Sequence, residues 1–152
     1  MNEESLYLES VELLKELIST QSFSFHEENT ATLLENWLNK NSIPFKRHVN
    51  NIYCYNKYYD EEKPNILLNS HHDTVEPNDS YTNDPYEPIV DQGKLYGLGS
   101  NDAGASLVSL LSTFKFFYDC KNLNYNLIFL ASAEEEKSGK NGIKSVIPKL
   151  PK

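Results

Sequence analysis

Two short, uninterrupted apolar runs constrain this chain most. Ile66-Leu67-Leu68 and Leu127-Ile128-Phe129-Leu130 read as strands of a sheet covered on both faces. Each passes directly into a cluster of chemically able side chains: His71-His72-Asp73 after the first and Glu134-Glu135-Glu136 after the second. A third cluster, Asn101-Asp102, follows the β-like segment 94–98. In an open α/β sheet, strand ends deliver side chains to one carboxyl edge. An imidazole, a lone aspartate and paired glutamates at such an edge have the donor chemistry of a metal-assisted hydrolase.

The remaining pattern supplies helices for both faces of that sheet. Val11, Leu14, Leu17 and Ile18 recur at helical spacing and predict a helix over about 4–19. A second helix is expected from near Ser24, where Ser24-Phe25-His26-Glu27 fits a capping box, with Leu33, Leu34, Trp37 and Leu38 as its apolar stripe. Strand-like segments span 45–49, 51–56, 65–69, 94–98 and 126–131; the proline-rich stretch 76–88 reads as a loop. Residues 103–118 carry Leu107, Leu110, Leu111 and Phe114 on one face, and a short helix follows Gly142. The expected fold class is α/β: a three-layer mixed sheet with helices on both faces.

Bulk properties narrow the partners. At 152 residues the chain can bury one core, and its net charge of −8 repels a polyanion, so no nucleic-acid partner is expected. Most of the acidic surplus reads as solvated surface. No apolar run approaches a membrane span, and the start Met1-Asn2-Glu3-Glu4 is acidic, so no membrane partner and a cytoplasmic location are expected. Cys54 and Cys120 are isolated and read as buried thiols; His26 and His48 read as surface residues.

Each cluster alone has a bland alternative. His71-x-Asp73 is also a plain strand end, although i and i+2 share a face and a carboxylate beside an imidazole orients a metal ligand. Asp102 also suits a helix N-cap, and the surrounding glycines lack the third glycine of a dinucleotide loop. Three adjacent acids also suit a solvated loop; near cations, one could ligate while its neighbour takes a proton from water. Their order and shared position at strand ends favour the functional reading.

The segments Leu67-Leu68-Asn69-Ser70-His71-His72-Asp73-Thr74-Val75, Asn83-Asp84-Pro85-Tyr86, 93–104 and 133–142 resemble the aminoacylase and carboxypeptidase-G type family of two-zinc hydrolases, with acetylornithine deacetylase as the nearest branch. The resemblance implies a zinc-exopeptidase-like catalytic domain. His71 would ligate one zinc, Asp102 would bridge both, and Glu136 would ligate the other. Asp73 would orient His71, and Glu135 would be the general base, with Glu134 in the place of the family's usual Asp or Ala. His72 inherits no role. A cis peptide is implied at Asp102–Ala103.

The same resemblance implies two divalent metal ions, zinc first and cobalt as the alternative, and a small-molecule N-acyl amino acid as substrate. N-acetylornithine or a relative, and so arginine biosynthesis, is the branch expectation. Gly97-Leu98-Gly99 and Asp102-Ala103-Gly104-Ala105 depart from the family's G-R-G and D-M-K-G without removing a ligand or base. Family members add a further acidic ligand, a second histidine and a dimerising lid domain. Residues 1–152 are therefore expected to be the amino-terminal portion of the catalytic domain, inactive alone, within a homodimeric whole. The alternatives are an aminopeptidase or dipeptidase of the same family, and a non-catalytic α/β binding module.

Overall fold

The computed structural model describes residues 2–151; Met1, the first residue of the acidic start, and Lys152 lie outside the described residues. Helices α1 (Glu3–Ile18) and α2 (Glu28–Lys40) precede strands β1 (Lys46–His48), β2 (Asn51–Tyr55) and β3 (Asn65–His71). A hairpin of β4 (Ile89–Asp91) and β5 (Lys94–Tyr96) follows. It leads through the irregular turn Ser100–Ala105 into α3 (Ser106–Phe117), then β6 (Asn126–Ser132) and the short α4 (Ile143–Val146).

Four strands form one mixed sheet in the order β1-β2-β6-β3. β6 lies between an antiparallel β2 and a parallel β3, and every residue of β6 is buried. The period-2 alternation of strand side chains sorts the core into two faces. Ile52, Cys54, Leu127, Phe129 and Ala131 meet Leu14 and Leu17 of α1, Leu34 and Leu38 of α2, and Leu107, Leu111 and Phe114 of α3. Tyr53 and Leu130, facing the other way, pack with Val146 of α4. The three-layer α/β expectation holds, with a thin third layer.

Three local expectations change. The capping box does not form: α2 begins only at Glu28 with no side-chain cap, because Ser24 and Glu27 are buried and find partners elsewhere. Ser24 Oγ donates to Asp73 Oδ2 at 2.7 Å, and the Glu27 carboxylate accepts the Phe25 amide at 2.7 Å. His26 is exposed as expected, but in the turn before α2; His48 is half-buried on β1. Next, β3 is not covered on both faces. It stands at the edge of the described sheet, where Ile66 and Leu67 remain 41% and 36% exposed. Finally, α3 starts at Ser106 because the backbone of Asp102 and Ala103 leaves helical geometry.

Both cysteines are free, Cys54 buried and Cys120 half-buried, and burial raises the Cys54 thiol far above its ordinary value. Among the described residues, no helix is long and apolar enough to cross a membrane.

Phe129 is fully buried, its ring 6.1 Å from that of Phe114. Phe129→Ala should cost about 3–5 kcal/mol of stability in urea unfolding. Ile66→Ala, on the exposed part of β3, should cost about 1 kcal/mol or less. Equal costs would show that the core is not centred on β6.

Candidate metal centre

The parallel pairing of β3 with β6 brings the first and last clusters together. Their register runs from Asn65↔Asn126 to His71↔Ser132, so both strands end level. His71 is the last residue of β3, and Glu134-Glu135-Glu136 begins two residues beyond Ser132. The His72 amide adds one more bond to the Ser132 carbonyl at 3.0 Å.

Asp73 then ties the two exits to each other. Its carboxylate is fully buried and accepts the Glu135 amide on Oδ1 at 3.0 Å and the Glu136 amide on Oδ2 at 3.1 Å. Burial alone would raise this carboxyl; hydrogen bonds from His71, Ser24 and the two amides outweigh it and hold the pKa at about 2. The nearest partner of His71 Nδ1 is the Asp73 carbonyl oxygen at 3.0 Å, with carboxylate Oδ1 at 3.5 Å. The main chain of Asp73 therefore orients the imidazole at least as directly as its side chain does.

Asp102 arrives from the turn Ser100–Ala105. Its side chain is 77% exposed and caps no helix. The Asp102–Ala103 peptide is cis, as the resemblance implied. The turn closes where the Gly104 amide donates to the Gly99 carbonyl at 2.8 Å. Gly99 sits at φ +74°, and a Cβ there would meet Thr74 Cγ2 at 2.8 Å, so a larger residue would push the turn off the β3 exit.

These elements converge on His71 Nε2. Asp102 Oδ1 lies 3.0 Å from it and Glu135 Oε2 lies 3.7 Å away. One donor atom each from His71, Asp102 and Glu136 lies within 4.8 Å of the other two. Burial disfavours a charged His71, but Asp73 and Asp102 outweigh it and push its pKa up to about 9. The Glu136 carboxyl is raised, first by burial and then by the charge of Asp102. Carboxylates held this close repel one another, and a divalent cation relieves that repulsion. One imidazole nitrogen turned away from its backbone acceptor, with two carboxylates, is a donor set that fits zinc or a similar ion.

Two residues matter here that sequence reasoning passed over. His72 is fully enclosed between Thr30 Oγ1, 2.9 Å from Nδ1, and the Asn50 carbonyl, 2.9 Å from Nε2. Burial pushes its pKa down to about 4, so it serves as a neutral strut. Glu134 points inward, away from the cluster: its two carboxylate oxygens accept the backbone and side-chain N–H groups of Asn141, each at 2.9 Å. Apolar neighbours on both sides of a histidine would have flagged His72; its polar flanks did not.

A mixed sheet with imidazole and carboxylates gathered at its carboxyl edge is the architecture of a metallopeptidase catalytic domain. The chain belongs to peptidase family M20/M25/M40, whose profile matches residues 67–152. A metallo-carboxypeptidase of that family from Sulfolobus solfataricus has the same fold, with a TM-score of 0.73 at 23% identity over 98% of this chain and 34% of its own. The Bacillus subtilis YxeP protein, a dinuclear metal binding peptidase, gives 0.70 at 18% identity over 97% of this chain and 40% of its own. Succinyl-diaminopimelate desuccinylase of a Nitratiruptor species is 26% identical over 145 residues, which is 94% of this chain and 38% of that protein. The chain thus spans about two fifths or less of the length of these relatives.

Asp73→Asn removes an acceptor from a pair of amides and should weaken zinc binding about ten- to hundredfold by calorimetry. Its pH effect has a definite sign. A carboxyl held at about 2 contributes stability that is complete above its ordinary value of 3.8 and lost as pH falls toward 2. The wild-type chain should therefore lose more stability than Asp73→Asn between pH 5 and 2, measured by circular dichroism.

Proposed function

We propose that residues 1–152 are the amino-terminal portion of the catalytic domain of a metal-dependent amidohydrolase that cleaves the amide bond of an N-acyl amino acid. The observation that supports this best is the meeting of His71, Asp102 and Glu136 donor atoms within 4.8 Å, with Glu135 Oε2 3.7 Å from His71 Nε2. His71 and Glu136 would each hold one divalent ion, zinc first and cobalt as the alternative, and Asp102 would bridge the two. Bound there, the ions supply a Lewis acid that polarises the acyl carbonyl and acidifies water.

The rest of the chemistry belongs to the chain. Asp73 fixes His71 through Nδ1 and leaves Nε2 facing the carboxylates. Glu135, largely exposed and hydrogen-bonded to Asp73 through its amide alone, directs its carboxylate at His71. Oε2 takes a proton from the attacking water and returns it to the departing amine nitrogen. Glu134, its carboxylate occupied by Asn141, takes no part in proton transfer.

The relatives favour a succinylated diamino acid, N-succinyl-diaminopimelate, as substrate, since succinyl-diaminopimelate desuccinylases match more than nine tenths of this chain. N-acetylornithine and arginine biosynthesis, expected from the branch resemblance, are the second reading. The fold it shares with dipeptidases makes a peptide substrate the third. A homodimer is the proposed assembly of the whole protein.

In the full-length protein, Glu135→Gln should retain zinc and lose turnover at least a hundredfold, about the lower bound for a positioned general base. Glu134→Gln should lower thermal stability and keep measurable turnover. The reverse pattern would move the base to Glu134. A panel of N-succinyl-diaminopimelate, N-acetylornithine and simple dipeptides should give its highest kcat/KM with the first; preference for dipeptides would sink the deacylase reading.

A further inference from the structure

Glu27 is fully buried and is not among the clustered donors, yet each hydrogen bond to its carboxylate comes from an N–H group. Oε1 accepts the Phe25 amide at 2.7 Å and the Glu134 amide at 3.1 Å; Oε2 accepts Asn50 Nδ2 at 2.9 Å. The Glu134 bond spans 107 residues of sequence and joins the entrance of α2 to the exit of β6.

That bond completes a series. The amides of Glu134, Glu135 and Glu136, three in succession, all donate to buried carboxylates: the first to Glu27, the next two to Asp73. Glu134 sits at φ +56°, a conformation that a residue with a Cβ adopts only when its surroundings hold it there. With its amide fixed by Glu27 and its carboxylate by Asn141, Glu134 turns inward, and the chain sends Glu135 and Glu136 out toward His71. Asn50 closes the circuit, because its carbonyl accepts His72 Nε2 and its Oδ1 accepts Arg47 Nη2, each at 2.9 Å. Glu27 thus bears on both strand exits at once.

We propose that Glu27 is a positioning residue for the reaction: its carboxylate sets the backbone of Glu134 and thereby the direction in which the base Glu135 and the ligand Glu136 leave β6. This rests on the function proposed above, and nothing in it requires Glu27 to touch metal or substrate.

Glu27→Gln isolates the effect, because the shape is kept while one acceptor becomes a donor. Placed at Oε2, the new NH2 faces Asn50 Nδ2; placed at Oε1, it faces two amides. Asn50 cannot turn to compensate while its Oδ1 accepts from Arg47. The exchange Glu27→Gln with Asn50→Asp restores a donor–acceptor pair at that contact and keeps an acceptor for Arg47.

In the full-length protein, zinc affinity by calorimetry should fall about tenfold in Glu27→Gln, the lower end for loss of an outer hydrogen bond, and kcat should fall with KM little changed. The exchange variant should recover zinc affinity to within about threefold of wild type. Glu27→Gln that folds and binds zinc as wild type does would overturn the proposal. So would an exchange variant that regains melting temperature but not zinc affinity, since Glu27 would then serve stability alone. Should Glu27→Gln fail to fold, the exchange variant decides in the same way. Wild-type protein that binds no zinc would instead defeat the proposed function, and the two failures are told apart by that control.

Discussion

The structure depends on one buried carboxylate. Asp73 enters the protein interior at the end of β3 and spends both oxygens on the main chain that follows β6. Removing a carboxylate from water is costly unless donors surround it, and here His71, Ser24 and two amides do so. The favoured ionised state then makes the arrangement self-consistent. A negative charge holds the amides, and the amides hold the acidic side chains beside the imidazole. Without it, Glu135 and Glu136 would lose the bonds that hold their backbone beside His71.

The strand ends and the main helices were legible because they depend on local pattern. Val11, Leu14, Leu17 and Ile18 repeat at helical spacing, and β6 is an apolar run that the fold buries throughout. The His71, Asp102, Glu136 grouping was legible only through the joint order of three weak motifs and the resemblance they carry. What escaped was set by long-range partners. Ser24 looks like a helix cap until Asp73, 49 residues away, takes its hydroxyl. His72 inherits no role from the resemblance, and its structural part emerges only where Thr30 and Asn50 close over it. The exposure of Ile66 and Leu67 follows from β3 having a single neighbouring strand, which composition does not record.

The site is also uneven in rigidity. His71 and Asp73 are buried and anchored, whereas Asp102 and Glu135 are largely exposed. The imidazole side of the cluster is therefore built before any cation arrives. The carboxylates of Asp102 and Glu135 stand in water, where side chains can adjust to a ligand or take up a proton.

The level, in-register ending of β3 and β6 works as a ruler. A single residue inserted anywhere in β6 would advance the acidic turn by about 3.3 Å against β3 and shift each of its residues by one place. Ala133 would then fall where Glu134 turns inward, and Glu134 and Glu135 would stand where Glu135 and Glu136 now face His71. Length variation is consequently not tolerable between Asn126 and Ser132, where each residue of β6 is matched to one of β3.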